Sequence, residues 1–188
     1  MKDISLHLID IIQNSVTAKA DTIIIAIDTT LEEDQLKISV SDNGSGMDKE
    51  MLSQVTSPFV TTRTTRKVGL GIPLFKASAE MAEGKLNITS EKGKGTVIEA
   101  YFKISSIDRI PLGDVSETLM TVVLASPEIN FELLLKSCNG AFEFRTLEVK
   151  EKLGEVPITD FEVLAWLKEF IDEGIKNTFG GVLDEIHG

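Results

Sequence analysis

Residues 37–79 restrict the possible fold more than any other stretch of the sequence. A strand-like run ends in a glycine-containing segment at residues 42–46, and two further glycines, Gly69 and Gly71, precede a helix-like run. Residues 51–79 contain no carboxylate, although the chain of 188 residues has a net charge of −11. Because backbone N–H groups at a helix start and nearby basic side chains both attract anions, this stretch predicts a binding site for a phosphate-bearing ligand.

The elements that precede residue 105 predict a sheet built from hairpins. Apolar and β-branched runs predict strands at residues 22–28, 36–41, 86–90 and 96–104. Helices are predicted at residues 4–19, at 48–53 with Asp48 as N-cap, and at 71–84 with Pro73 in the first turn. Strands that arrive in hairpin pairs favour an α+β fold, a two-layer sandwich of a mixed, mostly antiparallel sheet with helices on one face.

The first predicted helix carries a polar stripe. Asp3, His7, Asp10, Asn14 and Thr17 are spaced three and four residues apart, so they share one face. Apolar residues lie on both sides of this stripe, which indicates a largely buried helix. Either the stripe faces solvent, or its polar groups have partners inside the protein, since an unsatisfied buried polar group costs roughly 1–3 kcal/mol.

The C-terminal part of the chain differs in composition. Residues 1–105 hold 14 acidic and 12 basic residues, whereas residues 106–188 hold 16 acidic and seven basic residues. We therefore predict two domains, 1–105 and 106–188. The second is predicted to contain an amphipathic helix at 159–178, capped by Thr159 or Asp160, and strands at 118–125, 131–137 and 142–149. These elements would either form a small α+β module or extend the first sheet.

The composition excludes several classes of function. A pI near 4.7 argues against binding to nucleic acid or to an anionic membrane, and no apolar run is long enough to span a membrane. The single cysteine, Cys138, cannot form an internal disulfide, which fits a cytoplasmic protein. P-loop, protein-kinase and zinc-binding motifs are absent from the sequence. The acidic C-terminal part is either a solvated face or a docking surface for a basic partner protein.

Four segments in a fixed order carry a family resemblance. They are the polar helix with Asn14, then residues 42–47, 69–72 and 93–96. Each is a weak signal alone, but the four in order, with fitting strands and helices between them, form a specific pattern. Residues 1–105 resemble the ATP-binding domain of the GHKL superfamily, which includes type II topoisomerases, heat-shock chaperones, mismatch-repair ATPases, histidine kinases and anti-sigma-factor kinases. The segments are similar to its N, G1, G2 and G3 boxes.

The resemblance implies ATP and Mg²⁺ as cofactors. Asn14 would coordinate Mg²⁺ together with phosphate oxygens and water, and Asp42 would accept a hydrogen bond from the adenine amino group. Gly44 and Gly46 would let the base approach the backbone, and Thr96 would lie near the adenine.

The resemblance also implies a phosphate-binding part. The N–H groups of residues 69–72 would bind the phosphates at a helix start, and residues 58–68 are similar to the lid over the nucleotide. Arg63, Arg66 or Lys67 would neutralise the γ-phosphate. The implied ligand-binding residues of these segments are Thr62, Arg63, Lys67, Gly69, Leu70, Gly71 and Ile72, and Met47 of the second segment is a further one.

The implied catalytic machinery departs from that of the hydrolysing members. Those members use as general base a glutamate four residues before the asparagine, and the corresponding residue here is Asp10, which is one methylene shorter. His7, one turn earlier, would orient or replace that group, or it is a hydrogen-bonded helix residue without a catalytic role. No phosphoacceptor helix pair precedes the first box, so we expect no autophosphorylation of the usual kind.

Two functions are consistent with this pattern. The first is an enzyme, either a slow ATPase or a kinase that phosphorylates a partner protein as stand-alone anti-sigma-factor kinases do. The alternative is a non-catalytic, nucleotide-sensing regulatory subunit whose lid controls partner binding. In both, we expect the partner protein to dock on the acidic residues 106–188.

Overall fold

The structure is a computed structural model, and it describes residues 2–55 and 70–183. None of the helices in these ranges combines the length and apolar character needed to cross a lipid bilayer. The elements in chain order are α1 (Ile4–Thr17), β1 (Thr22–Asp28), β2 (Gln35–Asp42), α2 (Lys49–Val55), α3 (Gly71–Met81), β3 (Lys85–Glu91), β4 (Gly95–Lys103), α4 (Val115–Ala125), β5 (Asn130–Ser137), β6 (Gly140–Arg145), α5 (Thr146–Leu153) and α6 (Phe161–Phe179).

The strands form one six-stranded sheet in the order β3-β4-β2-β1-β5-β6. β1 and β5 run parallel, and every other neighbouring pair is antiparallel. The predicted α+β class and the mixed, mostly antiparallel sheet are therefore confirmed. The predicted hairpins are also present, because β1 pairs with β2 and β3 pairs with β4.

One face of the sheet carries the core. Every second side chain of β1 and β2 is buried, as the period of two in a strand requires. Helices α1, α3 and α6 pack on this face, and α4 packs between α1 and α6. Full burial of each such isoleucine or leucine contributes roughly 1.5–3 kcal/mol to stability. The buried side chains of β1 and β2 are Ile23, Ile25, Ile27, Leu36, Ile38 and Val40.

The C-terminal strands continue the first sheet. β5 lies beside β1, with Ile25 opposite Leu133 in the parallel register, and β6 follows at the edge. Of the two arrangements that the sequence allowed for these strands, the structure shows the extended sheet. A single cluster of buried apolar side chains includes residues from both sides of residue 105.

One predicted strand is wrong, and another is too long at its C-terminal end. Residues 118–125 belong to helix α4, whose N-cap Asp114 accepts a hydrogen bond from the Glu117 N–H. This helix is buried on several sides, so its sequence is apolar and includes many β-branched residues. The spacing of apolar residues in such a short run does not distinguish a strand from a buried helix. The strand predicted at 142–149 ends at Arg145, and α5 begins at Thr146.

Candidate functional site

Asp42, at the end of β2, is held through both of its carboxylate oxygens. Its Oδ2 accepts a hydrogen bond of 2.6 Å from the Ser15 hydroxyl, and its Oδ1 accepts one of 2.9 Å from the Gly44 N–H. Ser15 is buried on α1, next to Asn14. The contact therefore joins the helix that carries Asn14 to the strand end that carries Asp42, and it fixes the orientation of the carboxylate.

The glycines around Asp42 bring three backbone segments into contact. Gly46 has φ +61°, and a Cβ there would lie 2.0 Å from the carbonyl oxygen of Glu91. Gly95 has φ +101°, and its Cβ would lie 1.9 Å from the carbonyl oxygen of Asp42. A Cβ on Gly44 would lie 2.8 Å from the Ala18 carbonyl oxygen. These glycines are thus required by packing within the protein, in addition to any approach of a ligand.

A single hydroxyl links Met47, a predicted ligand-binding residue, with Thr96, which is predicted to lie near the adenine. Ser90 Oγ accepts a hydrogen bond of 2.8 Å from the Met47 N–H and lies 2.9 Å from the Thr96 hydroxyl. It donates to the Gly95 carbonyl oxygen at 2.9 Å. Thr96 is also the register partner of Asp42 between β2 and β4. The structure therefore brings Asp42, Met47 and Thr96 together, and Ser90 is a site residue that sequence reasoning missed.

The predicted phosphate end of the site is the start of α3. Leu70 occupies the N-cap position without a side-chain cap, and Gly71, Ile72 and Pro73 form the first turn. The first N–H groups of a helix have no partner within the helix, and proline lacks one altogether. No side chain of the described residues caps the N–H groups here, and the partial positive charge of the helix dipole is centred on them. This end of α3 is suited to an anion.

Asp10 and Asn14 lie on the α1 face that approaches α3. A Cβ on Gly71 would lie 2.7 Å from the Asp10 Cβ and 3.3 Å from its Oδ2, so the exposed Asp10 carboxylate stands beside the start of α3. Asn14 follows one turn later on α1 and is partly exposed. Its side-chain amide makes no hydrogen bond to a described residue, which leaves a hard oxygen donor available.

His7 is positioned differently. Its side chain is 1% exposed, its Nε2 lies 3.0 Å from the Ser78 hydroxyl, and its ring stacks on Phe75 with centroids 5.0 Å apart. Burial lowers the pKa of His7 below its ordinary value, so the ring is neutral near pH 7. This environment favours the interpretation of His7 as a hydrogen-bonded helix residue that joins α1 to α3.

The sequence profile of the histidine kinase-, DNA gyrase B- and HSP90-like ATPases matches residues 2–106. The match covers more than half of the chain. The chain belongs to this ATPase family. Its residues 2–106 therefore form a histidine-kinase-like ATPase domain, as the four segments predicted.

Individual relatives agree with the family assignment. A putative sensor protein of Shewanella frigidimarina is 37% identical over 103 residues, which are 54% of this chain and 16% of the relative. Sporulation kinase C of Bacillus subtilis is 35% identical over 98 residues, which are 52% of this chain and 23% of the relative. The chain spans less than a quarter of the length of these curated relatives.

A solved structure shares the fold. The N-terminal domain of a DNA repair protein superposes with a TM-score of 0.50 at 17% sequence identity, over 77% of this chain and 52% of that one. At this identity the likeness concerns the fold alone. It extends beyond the 105 residues of the profile match.

The predicted lid lies outside the residues that the structure describes. The predicted lid, residues 58–68, falls between Val55 and Leu70, where the description ends and resumes. The roles predicted for the residues of this lid therefore stay predictions, and so does the role predicted for Gly69, which follows it. The predicted ligand-binding residues in this gap are Thr62, Arg63, Lys67 and Gly69.

Proposed function

We propose that the chain binds ATP with Mg²⁺ between α1, the end of β2 and the start of α3. The observation that carries this proposal is the hydrogen bond from Ser15 to Asp42. It unites the predicted metal-binding helix with the predicted adenine-binding acid in one rigid unit. Membership of the ATPase family supports nucleotide binding.

Each end of the proposed site has a distinct role. Asp42, with both oxygens oriented by the protein, would accept a further hydrogen bond from the adenine amino group, because a carboxylate oxygen has two lone pairs. The N–H groups of Gly71 and Ile72 would bind phosphate oxygens. Asn14 would hold Mg²⁺, which neutralises charge on the phosphates. No cluster of three or more acidic, histidine or cysteine side chains suited to a metal occurs among the described residues, so phosphate oxygens and water would supply most ligands.

The reaction would use Asp10. Its carboxylate is exposed and stands beside the anion-binding end of α3. There it would take a proton from a water that attacks the terminal phosphate, or from a hydroxyl of a partner protein. His7 would act by holding α3 against α1 through Ser78 and Phe75, and thus as a positioning residue.

We further propose that the chemistry serves a partner protein in the cytoplasm. The family relatives named as sensor proteins and sporulation kinases favour phosphotransfer over bulk hydrolysis, in the manner of anti-sigma-factor kinases. The partner would dock on residues 106–188, which hold most of the net negative charge. The alternative is a nucleotide-sensing subunit without catalysis, which the shorter Asp10 favours.

Calorimetric titration of ATP, with and without Mg²⁺, tests the site. Asn14→Ala and Asp42→Ala should each weaken binding roughly ten- to hundredfold, because each removes a contact to a charged or metal-bound group. The Asn14 variant should also lose the dependence on Mg²⁺. Gln13→Ala, an exposed neighbour on α1, is the matched control and should bind as the native chain does. A native chain that does not bind ATP would refute the proposal.

Phosphate release separates the enzyme from the sensor. Asp10→Asn keeps the size of the side chain and removes its basicity, so it should abolish slow hydrolysis while ATP still binds. Unchanged release in this variant would exclude Asp10 as base. ATP binding by the native chain, without release and without transfer to any partner, would favour the sensor.

A further inference from the structure

Three aromatic rings form a continuous patch in the C-terminal region, in which Phe142 is partly buried and the other two rings are exposed. Trp166 and Phe170 lie one turn apart on α6 and are 59% and 40% exposed. Their rings stack with centroids 5.6 Å apart, and Phe170 contacts Phe142 of β6 with centroids 5.3 Å apart. We call these three rings the aromatic face. Large aromatic side chains are costly to leave in water, so their clustering marks a candidate interaction surface.

A cavity adjoins the aromatic face. It has a volume of about 330 Å³ and lies between β6, α5 and α6. Trp166 and Phe170 form one of its walls, and apolar side chains from the other elements complete it. An apolar side chain of a partner could enter here and be removed from water. The further apolar lining residues are Phe144 of β6, Val149 and Leu153 of α5, and Leu167 of α6.

Negative charge surrounds the two rings of α6. Glu162 lies one turn before Trp166, Glu169 lies one turn after it, and Glu173 lies one turn after Phe170. All three carboxylates are exposed, and none forms an ion pair with a described residue. An aromatic surface between unpaired carboxylates suits cationic side chains, since a cation over the face of tryptophan is attracted to it.

The one arginine at the cavity is already paired. Arg145 contacts the carboxylates of Glu132 at 3.3 Å, Glu143 at 2.9 Å and Glu148 at 3.1 Å. Its positive charge is therefore balanced within the protein. Lys152 of α5 adds an exposed positive charge to the lining, so the acceptors offered to a partner lie on the α6 side, at Glu162, Glu169 and Glu173. A second copy of this chain would bring these like charges together.

We propose that the aromatic face binds a cationic segment of a partner protein, in which lysine or arginine residues flank a large apolar side chain. The apolar side chain would occupy the cavity, and the cations would contact Trp166 and the carboxylates of Glu162, Glu169 and Glu173. This inference deepens the proposed partner-binding role of residues 106–188, and it names the chemistry of the partner.

The chain contains one tryptophan, so the fluorescence of Trp166 reports directly on this surface. The probe is a short synthetic peptide of alternating arginine and leucine, titrated into the full chain. We expect a saturable blue shift that requires higher peptide concentrations as salt is added. The triple variant E162Q/E169Q/E173Q should bind about tenfold more weakly, the combined effect of three exposed ion pairs.

The control variant E32Q/E33Q/E50Q removes the same charge from exposed positions outside the C-terminal region. An equal loss of affinity in this control would overturn the proposal, because net charge alone would then explain binding. Absence of saturation, or equal binding of a glutamate–leucine peptide, would overturn it too. So would a dimer in sedimentation experiments that Trp166→Ser abolishes, since a second copy would then be the occupant.

A parallel titration with ATP separates this inference from the nucleotide proposal. A chain that binds ATP but not the peptide contradicts only the docking surface. A chain that binds the peptide but not ATP contradicts only the nucleotide site and leaves the docking surface supported.

Discussion

The hydrogen bond between Ser15 and Asp42 permits a direct test of how the adenine end is built. Ser15 is 3% exposed, and its hydroxyl donates to the Asp42 carboxylate at 2.6 Å. Ser15→Ala removes this donor and leaves the Gly44 N–H, which donates to the other oxygen at 2.9 Å, as the hydrogen bond that still orients the carboxylate. Asp42 is partly exposed, so water replaces part of the lost interaction.

The expected loss follows from these contacts. A hydrogen bond to a charged group contributes about 1.5–3 kcal/mol when no water replaces it, and partial replacement lowers the figure to about 1 kcal/mol. Because the bound adenine needs the native orientation of the carboxylate, this cost falls on ATP binding, and the Kd should rise about fivefold. Calorimetric titration measures the Kd, and urea unfolding measures the accompanying loss of stability.

Ser5→Ala is the matched control for this experiment. Ser5 is also buried on α1, and its hydroxyl donates to the Asp3 carboxylate at 2.7 Å, far from Asp42 along the helix. It should lose a similar free energy of unfolding and keep the native Kd. A native Kd in Ser15→Ala, or an equal rise in both variants, would refute the proposed role of Ser15.

Two further predictions concern stability. Gly46→Ala should lower the free energy of unfolding in urea by more than about 2 kcal/mol, because the positive φ alone costs about 1–2 kcal/mol and the Cβ would lie 2.0 Å from the Glu91 carbonyl oxygen. Gly93 has φ +82° and no atom within 4 Å of an added Cβ, so Gly93→Ala should lose only the conformational part. Equal losses in the two variants would contradict the close approach as the cause. The lowered pKa of His7 means that the unfolded chain binds more protons than the native chain below the ordinary histidine pKa of about 6.5. Stability should therefore fall as the pH drops from about 7 toward the lowered pKa, and His7→Gln should flatten this part of the profile; parallel profiles would disprove the assignment.

Local signals predicted the elements of the ATPase domain well. Asp48 caps α2 by accepting from the Met51 N–H at 2.9 Å, and Asp160 caps α6 in the same way, as expected for aspartate before a helical run. The failure at α4 has a local cause as well. Asp114 and Glu117 stand three positions apart at its start, which is the spacing of a capping box. The β-branched residues after them outweighed this signal in the prediction.

The position of the C-terminal strands could not be predicted in the same way. β5 joins the sheet beside β1 through a parallel pairing of residues more than 100 positions apart, and nothing in either strand specifies the other. Short turns between two strands predict a hairpin, whereas a parallel pair needs a long connection that has no fixed sequence pattern. The Cys138–Asn139 turn between β5 and β6 was therefore predictable, and the place of that hairpin in the sheet was not.

The site shows the same division between local pattern and tertiary contact. The family motif predicted Asp42 and the glycines, but Ser15 and Ser90 acquire their roles only when the chain is folded. The partners Ser15 and Asp42 are 27 positions apart. A signal did exist for Ser15, since a serine on the buried face of an apolar helix must find an acceptor, but the sequence does not state which one.

The two ends of the proposed nucleotide site differ in how the protein uses its own hydrogen-bonding groups. At the adenine end the carboxylate of Asp42 and the hydroxyl of Ser90 are held by several segments, so the shape of that end is set before a ligand arrives. At the start of α3 no side chain in the described part of the chain caps the helix, and those N–H groups keep their capacity for an anion. An adenine surface fixed by packing can select the base, while the N–H groups at the start of α3 can gain a partner from the ligand. Affinity for the phosphates should therefore come from α3, and selectivity for the base from the contacts around Asp42.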